Sequence, residues 1–269
     1  MLRLGISGAT GRMGRSLMEA VTTFSEVEVG AALVRAGSPH LGADFGELAG
    51  VSRMGVSIES DLRAAIEKID VLIDFSTPQA SLENLAICAE REIPVVLGTT
   101  GFSEKELDQV HQAATQIPLC MAANFSTGVN LCLELLSLAS QVLGEDVDIE
   151  IVEAHHRHKV DTPSGTALAM GHEIADALGR DAKQVFRFVR EGITGPREKN
   201  TIGFACIRAG DIVGEHQVIF ATEGERIEIS HKASSRLAFS RGAVRAARWL
   251  GDAAPGLHDM RDVLGLRQS

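Results

Sequence analysis

Leu2-Arg3-Leu4-Gly5-Ile6-Ser7-Gly8-Ala9-Thr10-Gly11-Arg12-Met13-Gly14 decides how the first half of the chain folds. Residues 2–7 read as a short strand, and the glycine-rich turn after them opens a helix running toward Val21. A tight turn, a close backbone approach to an anion such as pyrophosphate, and close helix–strand packing each favour glycine. The helix start adds N–H donors and positive potential. With a second strand over 27–34, the segment has the order and spacing of a dinucleotide-binding βαβ unit.

Outward from this unit the alternation continues. Asp70-Val71-Leu72-Ile73-Asp74-Phe75 is a continuous apolar strand, 79–92 a helix and Pro94-Val95-Val96-Leu97 another strand, which implies parallel pairing. Gly98-Thr99-Thr100-Gly101-Phe102 follows, and Ser103 with Glu106 forms a capping box for a helix toward Thr115. Pro118-Leu119-Cys120-Met121-Ala122 is a further strand, ending in Ala123-Asn124-Phe125-Ser126. Ligands of doubly wound sheets lie outside the carboxyl ends of the strands, so the loops at Gly8, Gly98 and Ala122 are expected at one crevice.

After a long amphipathic helix over 128–143 the texture changes. Strands over 186–189, 201–205, 217–220 and 226–230 look alternating and antiparallel, with Glu223-Gly224-Glu225 as a hairpin tip. One helix, 164–178, is evident to cover this sheet, so another subunit is expected to cover part of it. A final helix over 237–250 and a tail with Met260, Val263 and Leu266 are expected to pack back on the first domain. No internal repeat or low-complexity linker is visible.

The densest chemistry lies in Glu153-Ala154-His155-His156-Arg157-His158-Lys159-Val160-Asp161-Thr162-Pro163-Ser164-Gly165-Thr166-Ala167. Alternating residues 147–152 lead into it as a half-buried strand, so the histidines sit at a strand end. Ser164 is a good N-cap, and the first-turn N–H groups at Gly165 and Thr166 beside Lys159 make a receptor for a carboxylate or phosphate. A metal hydrolase built on His155, His156 and His158 with Glu153 as base is disfavoured. Consecutive residues in extended chain point to opposite sides, and no second ligand-rich segment completes a coordination shell, so no metal is expected.

The 269 residues carry 45% hydrophobic and 23% charged residues, ordinary for a soluble globular protein with a sizeable core. A formal net charge of -10 without a dense basic run argues against nucleic acid as a partner. Cys88, Cys120, Cys132 and Cys206 stand in apolar contexts without C-x-x-C spacing, which predicts buried free thiols. Together with the lack of a basic-then-apolar leader or a membrane-length apolar run, this predicts a cytoplasmic setting and no membrane partner.

Gly-Ala-Thr-Gly-Arg-Met-Gly at 8–14, Gly-Thr-Thr-Gly-Phe at 98–102, Ala-Ala-Asn-Phe at 122–125 and the whole of 153–167 resemble the dihydrodipicolinate reductase family. The resemblance covers essentially the full chain. It implies an α/β fold: an N-terminal Rossmann dinucleotide-binding domain (1–127 and 237–269) plus an α+β domain (128–236) with an open mixed sheet, which binds substrate and builds a homotetramer. The implied reaction is NAD(P)H-dependent reduction of a cyclic dicarboxylate in lysine and diaminopimelate synthesis. By the same resemblance Gly8, Ala9, Thr10, Gly11, Arg12 and Met13 would hold the pyrophosphate. Gly98, Thr99, Thr100, Ala122, Ala123, Asn124 and Phe125 would line the nicotinamide end. His155 matches an acid/base, Lys159 a proton donor or carboxylate partner, His156 a substrate contact, and Gly165 with Thr166 a carboxylate-binding pair; Arg236 would reach a substrate carboxylate.

One position departs from the family pattern. Where an acidic residue often ends the second strand, this chain has Val34, followed by Arg35. A carboxylate there would bind ribose hydroxyls and repel a 2′-phosphate, whereas Arg35 can pair with that phosphate, so NADPH is expected to be preferred over NADH. A non-catalytic, dinucleotide-binding redox sensor is the alternative from another class; such a sensor has no use for a His-His-Lys cluster beside an anion-binding helix start.

Overall fold

A computed structural model describes residues 1–267. The chain divides into two compact units, Met1–Thr127 with the segment from Arg236 onward, and Gly128–Ser235. In chain order the elements are β1 (Leu2–Ser7), α1 (Arg12–Val21), β2 (Val27–Leu33), α2 (Phe45–Ala49), β3 (Ile58–Glu59), α3 (Leu62–Ala65), β4 (Val71–Asp74), α4 (Pro78–Glu90), β5 (Val95–Leu97), α5 (Glu104–Ala114) and β6 (Pro118–Met121). Then follow α6 (Thr127–Leu143), β7 (Asp148–His155), α7 (Gly165–Ala177), α8 (Ala182–Val185), β8 (Phe186–Arg187), β9 (Ile202–Arg208), β10 (Gly214–Ala221) and β11 (Arg226–Ala233). The chain closes with α9 (Leu237–Leu250), β12 (Gly256–His258) and α10 (Met260–Leu264).

In the first unit the strands run parallel in the order β12-β6-β5-β4-β1-β2-β3. Continuous apolar strands suit a sheet covered on both sides, because alternate residues enter opposite cores. Val71 and Ile73 join the core with α1 and α9, while Leu72 joins the core with α4 and α5. The predicted strand after the glycine loop and the final helix are present, and Met260 and Val263 are buried in the α1–α9 core as expected. The expected order is also seen at α5, where the Glu106 carboxylate accepts hydrogen bonds from both the N–H and the hydroxyl of Ser103.

The second unit has a mixed sheet, β11-β10-β7-β9-β8. The antiparallel expectation is correct for β10 with β7 and β11, and incorrect for β9, which runs parallel to both β7 and β8. Polar–apolar alternation reports one covered face and carries no strand direction; direction is set here by the connections, through α7 into β8 and over 188–201 into β9, each of which returns the chain to the same end of the sheet. The strand expected over 186–189 stops after Arg187, where Glu198 accepts from the guanidinium at 2.8 and 3.0 Å. Two helices, not one, cover the sheet: Cys132 and Leu136 of α6 join Met170 and Ile174 of α7 over Ile149, Ile151, Phe204, Val218 and Phe220. The opposite face is open, with Ala205 and Ile207 exposed and Val152 and Ile219 half-buried. Three of the cysteines are buried free thiols as expected, but Cys206 is exposed, because it lies on β9 beyond the helical cover. Among the described residues no helix is long and apolar enough to cross a membrane.

Candidate active site

In the first unit the loops following β1, β4, β5 and β6 share the carboxyl edge of neighbouring strands. Gly8 has a left-handed φ of 77°, and a Cβ on it would lie 2.5 Å from the Phe75 carbonyl oxygen. A Cβ on Gly14 would lie 2.4 Å from the Ala9 carbonyl oxygen, so glycine is required for the turn to lie against α1. The Gly8 and Ala9 N–H groups are spent on the Leu33 carbonyl and that of Gly11 on the Gly8 carbonyl. The first turn of α1 contains no acidic residue, and Gly11 offers it no side-chain cap. Donors at Arg12 and Met13 thus face a place suited to an anion, and the glycine cradle fits a dinucleotide pyrophosphate.

Of the other predicted cofactor residues, Gly98 and Phe125 meet at the ring of Phe75, expected from sequence only as the end of a strand. A Cβ on Gly98 would lie 2.1 Å from the Phe75 ring, and that ring packs edge-on against Phe125 at 5.6 Å between centroids. Thr99 is buried, its hydroxyl accepting from Ser81 Oγ and from Ser76 N–H, whereas Thr100 is exposed. Thr99 therefore shapes the loop from beneath. Ala122 is half-buried, Ala123 exposed, and Asn124 accepts the Ser126 N–H at 2.9 Å to turn the chain. Arg35 is exposed just past β2, while Val34 packs against the core and donates its N–H to the Glu59 carbonyl. Arg236 also belongs to this unit, where it immediately precedes α9.

In the second unit the helix-covered face of the sheet is apolar at Ile149 and Ile151 and becomes polar at Glu153 and His155. His155 is buried, with Nδ1 2.7 Å from Glu153 Oε2. Glu153, 1% exposed, also accepts a two-pronged contact from Arg208, Nη1 to Oε2 and Nη2 to Oε1, each 2.7 Å, and the Ser164 N–H at 3.1 Å. Burial opposes its ionisation, but the bonds from Arg208, His155 and the Cys206 thiol outweigh that and hold its pKa at about 2. Arg208 reaches further, donating to the Asp161 carbonyl at 2.8 Å, so one guanidinium fixes both the strand carboxylate and the loop after it.

Ser164 caps α7 as expected, its Oγ accepting from the Ala167 N–H and lying 2.9 Å from His216 Nε2. A Cβ on Gly165 would meet nothing within 4 Å, and the first turn of α7 has no acidic residue, so the helix start at Gly165 borders space suited to a carboxylate. His156 is half-buried, and Lys159 Nζ pairs with Asp161 at 2.9 Å. His216, from β10, packs edge-on to His155 at 5.1 Å. Burial, then the charge of His155, pushes its pKa down to about 4, so it is neutral at neutral pH. Arg208 and His216 lie just outside the strands expected over 201–205 and 217–220, so the sequence pattern does not mark them. A carboxylate in a strand leading to buried histidines was the available signal, since it demands a counter-charge.

Two family models match, described as dihydrodipicolinate reductase, N-terminus, over residues 2–125, and dihydrodipicolinate reductase, C-terminus, over 128–264. Proteins named 4-hydroxy-tetrahydrodipicolinate reductase are 54% identical in Saccharophagus degradans, over 98% of this chain and 99% of theirs, and 56% identical in Pseudomonas fluorescens, over 99% and 100%. A dipicolinate-bound dihydrodipicolinate reductase from Paenisporosarcina sp. TG-14 superimposes with a TM-score of 0.77 at 25% identity, covering 96% of this chain and 97% of that one. The parallel sheet with its glycine cradle, taken with these relatives, defines the class: an NAD(P)H-dependent oxidoreductase. Within that class, the chain belongs to the dihydrodipicolinate reductase family. The relatives are named as reductases, and the sensor alternative is not favoured.

Proposed function

We propose that this protein reduces 4-hydroxy-tetrahydrodipicolinate to tetrahydrodipicolinate in lysine and diaminopimelate synthesis, with His155 as the proton donor. The observation that carries this reading is the placement of a buried, carboxylate-held histidine on the same unit as the helix start whose first residue, Gly165, has no atom within 4 Å of its Cβ position. Dipicolinate bound to the Paenisporosarcina protein supports a planar dicarboxylate as the ligand class. Gly8 to Met13, with Gly98 to Thr100 and Ala122 to Phe125, would hold the dinucleotide, and Arg35 beside Val34 favours NADPH over NADH. When bound, the reduced nicotinamide supplies the hydride.

The chain's own residues do the rest. Gly165 and Thr166 offer N–H donors to one substrate carboxylate, and Lys159 and His156 supply further donors; Arg236 is assigned to the second carboxylate. Hydride addition to a ring carbon conjugated with the imine leaves an enamine, whose carbon takes the proton held at His155 Nε2. The same cluster serves the loss of water from the hydroxylated ring. The open face of the second sheet, with Ile207 48% exposed, supports a homotetramer, and the biosynthetic role supports a cytoplasmic location.

A coupled assay tests the reading. Aspartate semialdehyde, pyruvate and the upstream synthase are supplied, and cofactor absorbance is followed. Oxidation of NADPH is expected to depend on all three; no oxidation with a competent synthase present overturns the assignment. His155→Gln and Lys159→Ala should each lower turnover by about 10²-fold or more without changing cofactor affinity.

A further inference from the structure

We propose that Glu153, clamped by Arg208, is a positioning residue that fixes the His155 ring with its Nδ1 proton turned inward and Nε2 as the only nitrogen that exchanges a proton. This deepens the proposed function and rests on His155 being the proton donor.

The assignment follows from which atoms can donate. Beside His155, Glu153 is held by donors: both guanidinium nitrogens of Arg208, the backbone N–H of Ser164 and the Cys206 thiol. The two-pronged guanidinium sets a full positive charge against this carboxyl and holds its pKa at about 2, so it is ionised and accepts at both oxygens. The 2.7 Å contact to His155 Nδ1 then requires the hydrogen to be on Nδ1. Nε2 is left to hold or release the working proton.

Three further features keep the ring in place. Gly214 leaves Nε2 its room, since a Cβ there would lie 3.1 Å from that atom. His216 packs against the ring at an interplanar angle of 74° and, being neutral, adds no competing charge. Arg208 lies opposite His155 in the β7–β9 pairing, so the clamp on Glu153 comes from the neighbouring strand. A carboxylate serving only to tie β7 to α7 would need Ser164 but neither the histidine contact nor a two-pronged arginine.

The test combines nitrogen-15 spectroscopy of labelled histidines with kinetics. In the unaltered protein at a pH where His155 is neutral, its resonances should show the hydrogen on Nδ1. In Glu153→Gln the amide N–H can donate to Nδ1, so the hydrogen should move to Nε2. Turnover should fall about 10²-fold or more with the Michaelis constant for the cofactor unchanged. Arg208→Met should also lower turnover, and Arg208→Lys should recover part of it; these two carry the test if Glu153→Gln does not fold, as judged by cofactor binding and melting. A neutral His155 with its hydrogen on Nε2 in the unaltered protein overturns the proposal. So does parental turnover in Glu153→Gln or Arg208→Met when His155→Gln has lost it. Parental turnover in His155→Gln would instead remove the proton-donor reading, and the nitrogen-15 spectrum would still decide the orientation of the ring.

Discussion

Lys159 Nζ stands 2.9 Å from Asp161 Oδ2, an ion pair within the loop whose acidic member is 56% exposed. The contact holds the Asp161 carboxyl below its usual range. In the proposed function Lys159 serves a ligand carboxylate, so Asp161 competes with the substrate for it. Asp161→Asn should tighten competitive inhibition by pyridine-2,6-dicarboxylate about three- to fivefold, the scale of an exposed ion pair. The gain should shrink as salt rises. Unchanged or weaker inhibition would show that the lysine is not contested.

In the proposed function cofactor choice turns on Arg35. Asp44, an acid in the loop after β2 that could replace the missing one at Val34, accepts from the N–H groups of Glu47, Met54 and Gly55, so it is occupied in holding its own loop. Arg35→Ala should raise the Michaelis constant for NADPH about ten- to a hundredfold, the value of a charge-assisted bond to phosphate, and that for NADH far less. Val34→Glu should shift preference toward NADH. Equal use of both cofactors by the unaltered protein would place the 2′-phosphate elsewhere.

The pH dependence of stability has a defined sign at His216. Its pKa is about 4 in the folded protein against an ordinary 6.5, so below pH 6.5 the unfolded chain takes up a proton that the fold refuses. Stability should be highest above pH 6.5 and fall as the pH drops toward 4, by roughly 3 kcal/mol at most from this group. Urea unfolding at pH 7.5, 6 and 5 reads the slope. His216→Gln should flatten it, and an equally steep slope in that variant would assign the effect to other groups.

Gly98→Ala tests the spacing of the loops assigned to the cofactor in the proposed function. The added carbon would fall 2.1 Å from a Phe75 ring that is backed by Phe125, so the ring has little freedom to retreat. The substitution should cost about 1–3 kcal/mol, the usual range for overpacking, and should weaken dinucleotide binding. Phe75→Leu in the same chain should recover part of both. Full stability in Gly98→Ala alone would mean that the loop relaxes freely.

What could be read from sequence follows from where the determinants sit. The parallel sheet was legible because a strand buried on both faces is a continuous apolar run, as in Val71-Leu72-Ile73. The start of α7 was legible because Ser164 caps it through its own side chain. β12 was not, since Gly256-Leu257-His258 has no strand pattern and is made extended by pairing with Pro118, Leu119 and Cys120. The histidine cluster was visible as a local crowd. Its supports were not, because Arg208 and His216 reach it only through the pairing of β9 and β10 with β7.

Glu153 and Arg208 are separated by 55 positions in the chain, yet each Glu153 oxygen takes one of the guanidinium's hydrogens. A parallel neighbour must cross over before it can pair, so this contact belongs to the slow, long-range part of folding. Until β9 docks, the carboxylate on β7 has no cation to justify leaving water, and the end of that strand is not worth burying. In the proposed function the acid–base centre therefore comes into being with the completed sheet, and a chain arrested short of that step would have neither the chemistry nor a closed core.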